Sequence, residues 1–395
     1  MIKKGILFFA LAFFFSLEIV SAIECGPVPS DGCLVTQDTT FVFEEYFLPH
    51  GISVGSGVSL DCNNATLDGG NSLYNGISLI RAENTKIENC FVENYERGNL
   101  FLWMSENIEI FNGSFSRSLS NYGIHIKESE NVTLRNNFVN ENRVGLYVEG
   151  FSEDDYLHDI DESNFVDGGK VIYLSGDNVV VEGETAGHLE IVFAQNVFVS
   201  DNLVSGDGIK FYNINGLIAE DNSVSDSDFG IDVLFSENVS LSGNSFEENN
   251  FGARIYRTKE FSFSGNEILN SLFDGLIIAF SEFGRVRENV ISESGWNGID
   301  LSYSNDNLFF NNTIESSGES GIFAGGNEES LGNVFQFNRI YANGEYGFEN
   351  RQRGRIIAKN NWWGSREKEE IEKMIFDKSD MKRTGRVVFE PFLRD

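Results

Sequence analysis

A short phrase led by glycine recurs along most of this chain, and it limits the fold more than any other feature. Gly123-Ile-His-Ile, Gly145-Leu-Tyr-Val, Gly208-Ile-Lys-Phe, Gly230-Ile-Asp-Val, Gly252-Ala-Arg-Ile, Gly275-Leu-Ile-Ile and Gly298-Ile-Asp-Leu each open a unit. From Gly208 the units run 22 to 23 residues. A second phrase follows each glycine (Asn131-Val-Thr-Leu, Asn238-Val-Ser-Leu, Asn307-Leu-Phe-Phe), and then a third (Asn136-Asn-Phe-Val, Asn244-Ser-Phe, Asn312-Thr-Ile). Three short alternating segments per unit, joined by Asn, Ser and Gly without helical periodicity, describe a solenoid with three strands per turn. Leucine-rich repeats share the period but need a Leu-rich consensus and a helical return segment, and neither is present. The expected fold is all-β: a single-stranded right-handed parallel β-helix of about 12 coils. Its strands stack about 4.8 Å apart, with Asn at corners that demand the left-handed backbone.

The repeat runs from Gly57 to Gly364 and loses its regular spacing between Gly145 and Gly208, where Ser152-Glu-Asp-Asp-Tyr-Leu-His158 reads as an inserted acidic loop. A solenoid has two open ends that must be covered. Residues 23–56 are expected to form the N-terminal cap and residues 365–395 a C-terminal helix-strand cap. In the latter, Ser365 caps an amphipathic helix whose stripe is Ile371, Met374 and Ile375, Val387 to Phe389 form a closing strand, and Trp362 and Trp363 seal the last coil. Residues 1–22 have the form of a signal peptide: Lys3 and Lys4, an apolar run from Ile6 to Phe15, and small residues at Val20-Ser21-Ala22. An uncleaved anchor is the alternative. A secreted or otherwise extracytoplasmic protein, periplasmic or at the cell surface, is expected, with no membrane span once the signal is removed.

Many glycines (40) with few prolines (4) suit a fold of tight turns whose backbone N–H groups are nearly all in ladders. The net charge of −32 repels phosphate backbones, so nucleic acid is not expected as a partner. Such acidity is compatible with calcium, yet no loop has calcium-binding spacing and no metal site is assigned. Cys25, Cys33, Cys62 and Cys90 would form two disulfides in an oxidising compartment. Cys25–Cys33 and Cys62–Cys90 is the pairing expected, with buried free thiols as the alternative.

Three phrases resemble the NosD-like β-helix family, within the wider group of carbohydrate-binding and sugar-cleaving β-helix proteins. Asp161-Glu-Ser-Asn-Phe-Val-Asp-Gly-Gly-Lys-Val-Ile-Tyr173 is similar to that family's Asn-x-Val-Asp-Gly-Lys-Pro-x-Tyr segment, with an extra Gly and Val171 in place of Pro. Leu60 to Gly69 resembles the first coil of many such exported proteins, and Asn360-Asn-Trp-Trp-Gly364 with Gly385 to Pro391 resembles their ending. The resemblance implies the fold and leaves function open, because such folds host lyases, epimerases, binding modules and structural proteins. It also implies a copper-maturation accessory role. Against that role, His50, His125, His158 and His188 with Met104, Met374 and Met381 form no clustered copper motif in the sequence.

In each Gly-Ile-x-Leu unit the residue between the two apolar ones points outward. Stacking then builds a column of His125 and Tyr147, followed after the irregular coils by Lys210, Asp232, Arg254, Ile277 and Asp300, with Tyr212 and Tyr256 beside it. The expected function is recognition of a cell-surface or extracellular polysaccharide, acidic ones included, by this charged and aromatic column. His125, Tyr147, Tyr212, Tyr256 and Asp300 would contact the sugar. If there is catalysis, of polysaccharide-lyase or uronate-epimerase type, Lys210, Asp232 and Arg254 are its candidates, supplying a cation for a substrate carboxylate and a group to move a proton. The competing account is a non-catalytic surface scaffold or adhesin, in which alternating charges only stabilise one another across strands.

Overall fold

The computed structural model describes residues 23–326 and 330–394; the signal-peptide segment lies outside the described residues. The chain winds as a parallel β-helix in two stacks. In the N-terminal stack successive coils build two six-stranded sheets and a third face whose sheet continues into the rest of the chain. Its first sheet runs from Leu34–Val35 through Ile52–Val54, Asn75–Ile80, Gly98–Trp103 and Tyr122–Lys127 to Val144–Glu149. Nine more turns follow, from Gly169–Ser175 to Phe348–Asn350, giving about fifteen coils instead of the 12 expected. The sequence undercounts for two reasons. Residues 34–54 pair in register without the glycine phrase. The coils starting at Val171 and His188 are also shorter than the later ones, because Val171 aligns with His188 and His188 with Gly208.

Each coil forms for the same local reasons. Ile209, Ile231, Ala253, Leu276, Ile299 and Ile322 point inward and are fully buried, one above another, each contributing on the order of 1–3 kcal/mol of burial. The leading glycine is dictated by close approach: a Cβ on Gly252 would lie 2.5 Å from the Gly275 carbonyl oxygen and 2.3 Å from Ile268 Cγ2. Asparagine plays two separate parts. Exposed Asn84 and Asn131 and half-buried Asn107 hold corners at φ of 50–55°. A second, buried column from Asn202 to Asn361 links coil to coil, as where Asn244 Nδ2 donates to Ala219 O (3.0 Å) and Asn266 Oδ1 (2.9 Å).

Both disulfides are formed, Cys25–Cys33 and Cys62–Cys90. At the other end Trp363 is fully buried in the last coil. The helix there is shorter than the sequence implies, Lys368–Lys373. Ser365 does not cap it; its Oγ accepts from Glu367 N instead (3.1 Å). Ile375 leaves the helix for the strand Ile375–Phe376, which pairs with Phe348–Asn350, so completing the ladder outweighs extending the helix. Among the described residues no helix is long and apolar enough to cross a membrane.

The stacks meet at a chain reversal. Phe165–Val166 closes the first stack and pairs antiparallel with Gly169 and Lys170, which open the second. Two hydrophobic cores result, one spanning Cys25 to Val192 and one spanning Ile172 to Val387. The free edge of Val144–Glu149 therefore has no next strand in its own sheet.

Candidate functional site: a crevice at the junction of the two stacks

That free edge is completed by side chains. Asp207 accepts from the backbone N–H groups of Gly145 and Leu146, the latter at 2.8 Å, and Lys210 Nζ donates to Val148 O at 3.0 Å. Exposed sheet edges must be paired or covered, and here carboxylate and ammonium groups do the pairing. Behind them lies a buried ionic network. His188 Nδ1 is 2.9 Å from Asp207 Oδ2, His188 Nε2 is 3.3 Å from Glu190 Oε2, and Lys210 Nζ is 2.8 Å from Glu190 Oε1.

Burial opposes charge on His188, yet its contacts to Asp207 and Glu190 prevail and lift its pKa to about 9. Burial likewise opposes the charged form of Glu190, but Lys210 and His188 hold its carboxyl below the ordinary value. His188 and Glu190 therefore both favour their charged forms at neutral pH.

The expected outward column exists, in register, as Tyr173, Glu190, Lys210, Asp232, Arg254, Ile277 and Asp300. Its first members are covered. Tyr173 donates to Tyr156 O (2.7 Å) in the inserted loop and is buried with Glu190. Farther along, Arg254 grips Asp232 through two hydrogen bonds of 2.8 and 2.6 Å and lies 4.1 Å over the Phe229 ring.

His125 and Tyr147 belong to the other stack, and the reversal brings Tyr147 back against the second: Lys210 Nζ lies 5.0 Å from its ring centroid. Tyr147 stacks on Tyr122 with centroids 4.7 Å apart and an 11° tilt. The result is a crevice of about 180 Å³ lined by Tyr122, Arg143, Tyr147, His188, Asp207, Lys210, Asp228, Asp232 and Arg254. The structure thus gathers Tyr147, Lys210, Asp232 and Arg254 at one place.

Tyr212, Tyr256 and Asp300 do not line it. Tyr212 stacks on Tyr156 (4.2 Å), and Tyr256 packs between Phe235 and Phe280 on an aromatic ridge at the coil corner. Asp300 stands three coils beyond Asp232, where burial raises its carboxyl to about 6, partly offset by a hydrogen bond from Ser302. His125 lies in an adjoining cavity among Phe101, Tyr122 and Tyr147. Tyr122, Arg143, Asp207 and Asp228 are not foreseen as site residues in the sequence, and His188 is weighed there only as a copper donor; the broken spacing between Gly145 and Gly208 signals His188 and Asp207 alone.

Proton-transfer chemistry gains no support in the crevice. Burial, reinforced for Tyr122 by Tyr147 and for Tyr147 by Glu149, pushes both phenols up to about 12. With His188 at about 9 and Glu190 lowered, every displaced group there is displaced away from neutrality, where a general base is least useful.

A family model described as "Periplasmic copper-binding protein (NosD)" matches residues 57–188 and 189–378. The chain belongs to this family. The two matched segments abut at His188, inside the junction network. The family's periplasmic description and the two disulfides together place this NosD-family protein outside the cytoplasm.

No curated protein matches the chain. Among solved structures it is similar to the periplasmic alginate epimerase AlgG (15% identity, 87% of this chain and 78% of that one, TM-score 0.33). It is also similar to PfbA, a surface adhesin of Streptococcus pneumoniae (14%, 79% and 84%, TM-score 0.29), and to tailspike protein 3 of bacteriophage CBA120 (9%, 92% and 57%, TM-score 0.36). At these values none of them bears on function.

The copper in the family's description does not fit the donors of this chain. Copper favours clustered His, Met and Cys. All four cysteines are in disulfides. His50 is paired with Asp31, His125 with Glu149, and both ring nitrogens of His188 face carboxylates. His158 sits on the inserted loop, where its Nδ1 accepts from Val132 N (3.4 Å), a partner that none of the other three histidines shares. Among the described residues no group of three or more His, Cys, Asp and Glu could hold a metal ion.

Proposed function

We propose that this exported NosD-family protein recognises an extracytoplasmic polysaccharide at the junction crevice, as a binding protein without turnover. The observation that carries it is the pairing of the Tyr122–Tyr147 wall with the Lys210 and Arg254–Asp232 floor in a concave site. Aromatic rings pack on the apolar faces of sugars, and fixed polar groups at the floor orient hydroxyls. The preceding stack supplies a flanking wall, through Tyr122, Arg143 and Tyr147, that a bare solenoid face lacks.

The test is a polysaccharide binding array on the full-length protein, with Tyr147→Ala beside it. Binding about tenfold weaker in Y147A, with an unchanged circular-dichroism spectrum, supports the crevice as the site. Binding indifferent to Y147A would move the site elsewhere. No binding to any glycan would leave the scaffold account, which one observation favours: Lys210, Asp232, Arg254 and His188 are already ion-paired within the protein.

A further inference from the structure

Next to the crevice, on the outer face of the N-terminal stack, is a larger cavity of about 400 Å³, within the roughly 300–1,000 Å³ of small-molecule sites. The two share Asn121 and Tyr122 in their linings, so they adjoin at the junction. The linings differ in charge. The crevice has Asp207, Asp228 and Asp232 among its cations, whereas no carboxylate lines the larger cavity, which carries Arg97 and Lys127. That is unusual in a chain with 61 acidic residues against 29 Lys and Arg. Lys127 is held by Glu149 at 2.8 Å, while Arg97 is exposed and makes none of the ion pairs found among the described residues.

The aromatic groups differ too. On the second stack, rings such as Phe280 and Tyr303 lie parallel (2°, 4.6 Å) and cover each other's faces. In the cavity, Phe101 meets His125 at 53° and lies in no parallel stack among the described residues, and Trp103 is anchored by its indole N–H to Glu128 (3.3 Å). A ring with one face uncovered can stack on a sugar, and a ring covered on both faces cannot.

We infer that this cavity is the subsite for a carboxylated sugar ring, so that the ligand is a linear uronate-containing oligosaccharide lying across the junction, with its acid group at Arg97 and Lys127. This rests on the glycan reading of the crevice and puts the main carboxylate contact on Arg97, with Lys127 shared between the ligand and Glu149, whereas Lys210 and Arg254 face the buried carboxylates of Glu190 and Asp232. From the coil of Phe101 to that of Tyr147 is two strand steps, about 10 Å, so more than one ring is needed to span both cavities.

Calorimetric titration of the full-length protein with tetragalacturonate, its methyl ester and neutral cellotetraose tests this, alongside Arg97→Gln/Lys127→Gln and Trp103→Ala. The wild type should prefer the free acid to the ester by about tenfold, and this preference should fall as salt is added. The double variant should lose the preference while still binding the ester, and W103A should weaken acid and ester alike. A preference that survives R97Q/K127Q, or full affinity in W103A, overturns the subsite while leaving the crevice standing if Y147A still weakens binding. Failure of every glycan to bind the wild type overturns both.

Discussion

Raising pH through the upper single figures should loosen the junction, and His188 sets the window. Its pKa is about 9 in the folded protein against 6.5 ordinarily, so folding favours the protonated form. Its contribution is fully present below pH 6.5, declines between 6.5 and 9, and is lost above that. The difference of about 2.5 units corresponds to about 3 kcal/mol. Asp207→Ala should remove the larger part of this dependence, leaving only what Glu190 contributes. It also takes the acceptor from the Gly145 and Leu146 N–H groups, and breaking a buried pair of this kind costs about 3–5 kcal/mol. The two stacks have separate cores, and solenoid stability is a sum of local and neighbour terms, so a weakened junction should let them unfold separately. Differential scanning calorimetry from about pH 6 to about 9.5, bracketing the linkage window, should therefore show one transition splitting into two for the wild type as pH rises, and two at every pH for D207A. Hydrogen exchange, corrected for intrinsic rates, should show the Gly145 and Leu146 amides losing protection over the same window. A D207A protein with the wild-type pH profile, or amides that stay protected, would refute the assignment of the junction to this network.

Three other perturbations have equally definite outcomes. Asn266→Ala removes four hydrogen bonds, two donated by its own amide to Leu241 O and Asn289 Oδ1 and two accepted from Asn244, and should cost on the order of 3 kcal/mol in urea unfolding. Replacing Cys62 and Cys90 by Ser should cost about 3.5 kcal/mol, and replacing Cys25 and Cys33 about 2.5, because sequence separations of 28 and 8 close loops of different entropy. Thermal melts of the two double variants check the order. The full-length protein, loaded with copper and dialysed, should retain less than one equivalent by elemental analysis, and a stoichiometric tightly held copper would refute the donor argument.

The solenoid was legible because its contacts are periodic. Lys210, Asp232 and Arg254 align on neighbouring strands for the same reason that Gly208, Gly230 and Gly252 recur: each coil touches the next one, about 22 residues away. Inward Ile and Phe, leading Gly and corner Asn are local demands, met again in every coil. The coil count and the extent of the C-terminal helix were less legible, because strands at 34–54 and 375–376 are set by pairing with neighbours and have no phrase of their own. Tyr147, Lys210, Asp232 and Arg254 were legible as outward residues, but their meeting in one crevice was not. Asp207 meets Gly145 and Lys210 meets Val148 across 62 residues, a separation unrelated to the repeat, and both contacts exist because the chain turns back at Val166 to Gly169. The sequence by itself thus determined which side chains face outward and in what order. Only the tertiary structure decided which of them are covered, paired or left lining a cavity, because those outcomes depend on where a non-periodic reversal sets one stack against the other.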